Sequence, residues 1–189
     1  MNQPLLIGII IAAIVIVGIV AMFVSRRRRS EHLKEHFGPE YRRAVEEAGS
    51  PSKAEAELAE REKRVEKLDI RPLSPAERED FGRRWTEVQA RFVEDPPRAV
   101  AFADALLGEV MKARGYPVSD FDQRAGDISV EHPQVVDHYR TAHDIALRHE
   151  RGEAGTEDLR QAMIHYRALF KELAGTGEPA TPRQPEPAH

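Results

Sequence analysis

Eight histidines and no cysteine set the chemistry open to this sequence of 189 residues. Without cysteine it has no disulfide, no thiol nucleophile and no thiolate-held zinc or iron–sulfur centre. His32-Leu33-Lys34-Glu35-His36 matches H-x-x-E-H, the pattern in which two histidines one helical turn apart hold zinc while the glutamate works on water. It starts within three residues of the run Arg26 to Arg29 and has no third ligand downstream, so it reads better as a solvated juxtamembrane helix. His138, His143 and His149 are five, six and eleven apart. Two of those separations put the rings on different helix faces, and the third puts them roughly 16 Å apart along the axis. His143, on an apolar stripe, reads as a core histidine first and a ligand contact second. Di-iron bundles need Glu-x-x-His on two helices, a tetrad this chain lacks. Serine nucleophile elbows, phosphate loops and dinucleotide glycine patterns are missing too.

One polar cluster stands apart from ordinary solvated faces. Asp122, Gln123, Arg124, Asp127, Ser129 and His132 lie close together in sequence, and His138-Tyr139-Arg140 follows. The plain reading is helix caps and charge pairs around an irregular link. The sharper reading is a polar pocket or partner-docking face, built by this link with Arg114 and Tyr116. The candidate binding residues are therefore Arg114, Tyr116, Arg124, His138, Arg140 and His143, with no catalytic residue, metal or cofactor assigned.

The elements that must position these residues follow from charge and proline placement. Leu5 to Val24 are twenty positions without a charge, roughly 30 Å as a helix, which matches the hydrocarbon thickness of a bilayer. No charge precedes the run and no small-x-small cleavage site follows it, so it reads as an anchor rather than a cleaved signal. Arg26 to Arg29 then form a basic collar that the positive-inside rule keeps in the cytoplasm. The collar also faces anionic lipid. The expected topology is single-pass, with the N-terminus outside and the C-terminal domain cytoplasmic. Setting the collar aside leaves 24 basic against 32 acidic residues, an acidic balance that argues against binding nucleic acid.

Residues 26–72 read as this collar and a charged helical stalk, with helices over 39–48 and 51–68. Ala54, Leu58, Arg61, Val65 and Leu68 make a narrow seam on the second, either laid on the rest of the domain or supporting weak self-association. Residues 73–174 read as an antiparallel four-helix-bundle-like domain. Its helices are expected over 75–93, 96–114, 133–151 and 157–173, with a short helical piece at 121–125. Ser50-Pro51, Ser74-Pro75, Asp95-Pro96 and His132-Pro133 are the expected helix starts, with Thr156 as a further N-cap. Ser74 and Glu77 form a capping box. Gly82 and Gly108, inside helices, suggest close helix approach. Residues 175–189, rich in proline, read as a disordered tail. No stretch has strand periodicity, so the chain is expected to be all-α.

Phe37-Gly38-Pro39-Glu40-Tyr41, Arg71-Pro72-Leu73, Trp85, Arg114-Gly115-Tyr116-Pro117, Ser129-Val130-Glu131-His132, His138-Tyr139-Arg140 and His165-Tyr166-Arg167 together resemble a family of uncharacterised bacterial proteins. Those look like single-pass membrane proteins with a charged stalk and a helical domain. The resemblance runs nearly to residue 173 and implies location at the bacterial cell membrane, with no activity attached. The leading expectation is a non-enzymatic interaction or scaffold module that holds a protein partner at the cytoplasmic membrane face. The alternatives are a small-ligand sensor or enzyme using a polar pocket near residues 114–143, and an exported protein.

Overall fold

The computed structural model describes residues 3–117 and 119–175, with the backbone alone at 3–13 and 15. Among the described residues every regular element is a helix, eight in all. The contacts divide the chain into two compact units, Met1–Glu60 and Arg61–His189. The expected tail at 176–189 lies outside the described residues.

In the first unit, α1 runs unbroken from Gln3 to Phe37, so the apolar run, the arginine collar and the H-x-x-E-H segment are one helix. It stops at Gly38, and Pro39 begins α2 (Pro39–Ala48). Among the described residues no helix is long and apolar enough to cross a membrane. Ten of the twenty side chains expected to span, 5–13 and 15, lie outside the described set. The large apolar ones that are described, from Ile14 to Val24, are 42–68% exposed. Helix α3 (Pro51–Val65) begins after Gly49 and Ser50. The Glu55 carboxylate on α3 accepts from Ser30 of α1 at 2.6 Å and from Tyr41 of α2 at 2.9 Å, tying three helices through one oxygen. Leu33, Phe37, Tyr41, Ala44 and Ala54 are buried in this unit. Burial, reinforced by Glu55, pushes the Tyr41 phenol up from its ordinary pKa.

The second unit begins inside the expected stalk because α3 ends in contacts to the helical domain. Arg64 donates to Asp127 at 2.8 Å, and Arg61 reaches Ser129 at 3.4 Å. Of the seam residues, Ala54, Leu58, Arg61 and Val65 are buried, and Leu68, beyond the end of α3, is half-buried. The bundle itself is α4 (Pro75–Arg91), α5 (Pro96–Arg114), α6 (Phe121–Glu131), α7 (Val136–Glu150) and α8 (Thr156–Ala174). Helix α8 packs on α4, α5 and α7, and α6 lies against α7. The apolar stripes meet in one core, where Trp85 of α4 stacks on Phe170 of α8 at 4.7 Å.

The starts of α4 and α5 are built as their sequences require. Ser74 accepts from the Glu77 N–H while the Glu77 carboxylate accepts from the Ser74 N–H at 2.7 Å, and Asp95 caps α5 through the Arg98 N–H. Two expected starts are displaced. His132 closes α6 rather than opening a helix, and α7 begins at Val136. Gly155, not Thr156, is the N-cap of α8, with Asp158 accepting its N–H at 2.8 Å.

Gly115 ends α5 at φ 104°, and a Cβ there would lie 2.3 Å from the Asp69 carbonyl oxygen. The close approach lets the Arg71 N–H donate to the Arg114 carbonyl at 2.8 Å, seating the 69–73 connection on the end of α5. Gly108 has a different role from the expected helix contact. A Cβ at that position would meet the Arg124 guanidinium at 3.0 Å, so the missing side chain makes room for a charge crossing α5.

Candidate functional site

The expected polar link folds as the helix α6, with Ala125, Gly126, Asp127, Ile128 and Ser129 all buried. The candidate residues fall into three groups of contacts.

Arg114 and Tyr116 belong to a network at the junction of α5, α6 and α8. Arg114 Nη1 is 3.1 Å from His132 Nε2, and His132 Nδ1 is 3.0 Å from a Glu172 carboxylate oxygen. A guanidinium only donates, so Nε2 must accept, and Nδ1 carries the proton it gives to Glu172. His132 is thereby fixed as one neutral tautomer. Burial and the Arg114 charge both hold its pKa below the ordinary value. The Tyr116 hydroxyl donates to Glu131 at 2.7 Å, and Arg114 Nη2 stands 3.7 Å from the same carboxylate. Burial, with Glu131 beside it, pushes the Tyr116 phenol well up. Within this network Arg114 Nε alone is buried without a hydrogen-bond partner.

Arg124 and His143 belong to a second group at α5, α6, α7 and α8. Arg124 Nη2 lies 3.6 Å from Asp104 Oδ2, and its guanidinium is 5.9 Å from the Tyr139 ring centroid. The hydroxyls of Tyr139 and Tyr166, both side chains fully buried, face Asp104 without a normal hydrogen bond. Asp104 Oδ1 is also buried without a partner. Burial first, and the Asp104 charge next, push both phenols well above their ordinary pKa. His143 stacks on Phe121 at 3.6 Å between ring centroids, and burial lowers its pKa. This ring contact replaces the expected hydrogen-bonded core histidine.

His138 belongs to a third group. Its Nδ1 is 2.8 Å from Nδ1 of His165 on α8, so one ring donates and the other accepts. Burial, then the neighbouring His138, lowers the His165 pKa. Arg140 is half-buried on α7. The pair supplies two nitrogens, and among the described residues no group of three or more His, Asp or Glu could hold a metal ion. In the H-x-x-E-H segment, the His32 and His36 rings stack at 5.7 Å, while Leu33 and Phe37 on the same helix are buried. Of the collar arginines, Arg27 pairs with Glu31 at 3.1 Å.

Sequence reasoning missed Asp104, Tyr166 and His165 as site residues. Tyr139 and Tyr166 sit on the apolar stripes where a tyrosine reads as core, and an aspartate inside a helix carries no local sign that it faces two of them. Asp104, four residues before Gly108 and thus on the same helix face, was the available signal. No family model, curated protein or solved structure matches the chain.

Proposed function

We propose that this chain is a membrane-anchored helical interaction module whose bundle is held at the cytoplasmic face of a bacterial cell membrane to receive a protein partner. One observation carries the reading. A single 35-residue helix joins the uncharged run to the arginine collar and to the buried turn at Leu33 and Phe37. Any movement of the anchor is thereby coupled to folded structure without a flexible linker. The exposed apolar side chains from Ile14 to Val24 suit lipid as their solvent. Arg26, Arg27, Arg28 and Arg29 suit the anionic cytoplasmic surface.

In this reading the four long helices of the bundle run antiparallel, and the polar groups at α5, α6 and α8 hold its shape rather than perform chemistry. Val93, Phe102 and Ile164, 88%, 44% and 47% exposed, are the most exposed large apolar side chains of the bundle among the described residues and are open to a partner. The experiment is fractionation of cells expressing the full chain or a variant beginning at residue 30. The full chain is expected in the membrane pellet, resistant to alkaline wash and released by detergent, and the shortened chain in the supernatant. A full chain extracted by alkaline wash alone would overturn the anchor. A detergent-solubilised chain that captures no protein dependent on Val93, Phe102 or Ile164 would overturn the module.

A further inference from the structure

Between the start of α5, the second half of α7 and the start of α8 lies a cavity of about 280 Å³. That is near the lower end of ligand pockets, roughly 300–1,000 Å³, so its occupant is small. Val100, Ala146, Leu147 and Leu159 give it apolar walls. Its polar lining is Asp104, His143, His149, Glu150 and Tyr166, with no lysine or arginine among the described residues that line it.

The polar groups are biased toward accepting. Asp104 Oδ1 is buried without a normal hydrogen bond, and so is the hydroxyl of the fully buried Tyr166 that faces this carboxylate. His149 Nδ1 is 2.8 Å from the Ala154 carbonyl oxygen. A carbonyl only accepts, so Nδ1 donates and Nε2 is the ring nitrogen left facing away from that bond. Glu150 adds an exposed carboxylate. Arg124, the nearest guanidinium, stands against Asp104 on the Gly108 side of α5 and does not line the cavity. Burial lowers the His143 pKa from its ordinary value, which disfavours an opposing charge there. Buried acceptors in an apolar chamber call for a compact donor of positive charge.

We propose that this cavity binds a small primary amine as its ammonium ion, with the apolar body against Val100, Leu147 and Leu159 and the –NH3+ held by Asp104. Tyr166 and His149 Nε2 accept its remaining protons. The amine leaves Arg124 on Asp104 Oδ2 and takes Oδ1, the oxygen that neither Arg124 nor the two facing phenols closes a normal hydrogen bond to. The site does not depend on the membrane reading, since all its residues lie in the second unit.

Calorimetric titration of the full chain in detergent micelles tests the proposal, with benzylamine as probe and benzyl alcohol and benzoate as controls of equal size. Benzylamine is expected to bind saturably with Kd at or below about 1 mM, and neither control to bind. Asp104→Asn is expected to weaken benzylamine by about tenfold or more, the loss of a charge-assisted hydrogen bond. Leu147→Trp, which fills the cavity from a partly exposed position, is expected to abolish binding without touching the Arg124–Asp104 pair. If Asp104→Asn does not fold, Leu147→Trp and the two controls still decide. Absence of saturable binding, equal binding of either control, or undiminished affinity in Leu147→Trp would overturn the proposal.

Discussion

Gly115 and Gly152 both have positive φ, at 104° and 77°, but only Gly115 has backbone where a Cβ would go. Alanine at Gly152 meets open space and bears only the left-handed backbone penalty, about 1–2 kcal/mol. Alanine at Gly115 adds an overlap with the Asp69 carbonyl that must push the 69–73 connection off α5, a further cost of about 1–3 kcal/mol. Urea unfolding of the two variants should therefore rank Gly115→Ala well below Gly152→Ala, and equal midpoints would contradict the docking of that connection. His132 makes a second prediction at this scale. Its unfolded ring titrates near 6.5 and its folded ring lower, because burial and Arg114 oppose the imidazolium while Glu172 and Glu131 only partly offset them. Between the two values the unfolded state binds the extra proton, so stability rises with pH across that window. It is lost as pH falls from about 6.5 toward the folded value. His143 and His165 are shifted the same way, so His132→Gln should reduce, not abolish, the loss of stability between about pH 7.5 and 5.5. An unchanged pH slope in that variant would mean that His132 is not held neutral.

Helices α4 and α5 were legible because their signals are local: a capping residue, a proline at the first helical position, and an apolar stripe of one period. The Ser74 box is further braced by Arg71, which donates to both Glu77 oxygens at 2.9 and 2.7 Å. This pairing, with the backbone bond from Ser74, holds the Glu77 carboxyl well below the usual carboxylate range. Ser74→Ala should cost about 1 kcal/mol, and Trp85→Ala, which removes the ring stacked on Phe170, about 3–5 kcal/mol. Thermal melts that reverse this order would contradict the assignment of α4 as a core helix. Helices α6 and α7 were less legible for a physical reason. The α6 turn that carries Asp127 and Ser129 is buried with polar side chains, which in sequence resembles a solvated link, yet Arg64 and Arg61 reach Asp127 Oδ1 and the Ser129 hydroxyl from sixty-odd residues away. On α7 the buried face includes Ile145 at 7% exposure, while Leu147 is 39% exposed and borders the cavity. A stripe read from sequence cannot distinguish a face that meets another helix from one that meets a hollow. The candidate site shared this difficulty, since Arg124 and His143 were visible as polar residues but Asp104 and Tyr166 join them only through the packing of α5 on α8.

At the scale of the whole molecule, the contrast between an uncharged run, four arginines and an acidic remainder makes topology the most testable property of the chain. The absence of cysteine makes the test clean, because one introduced thiol is the only one to label. Val93 is suited to it: 88% exposed, within the turn that follows α4, and apart from every polar group described above. In intact cells Val93→Cys should resist a membrane-impermeant maleimide and react fully once the membrane is opened, as a cytoplasmic bundle requires. Labelling in intact cells would place the bundle outside and favour the exported reading. The cause of the orientation can then be separated from its fact. The positive-inside rule counts lysine and arginine close to the span and gives acidic residues little weight, so the distant excess of carboxylates should not orient the chain. Replacing Arg26, Arg27, Arg28 and Arg29 by glutamine in the Val93→Cys background should therefore expose part of the population to the reagent in intact cells. Full protection in that variant, with membrane retention unchanged, would mean that folding of the juxtamembrane helices, and not the collar, keeps the bundle in the cytoplasm.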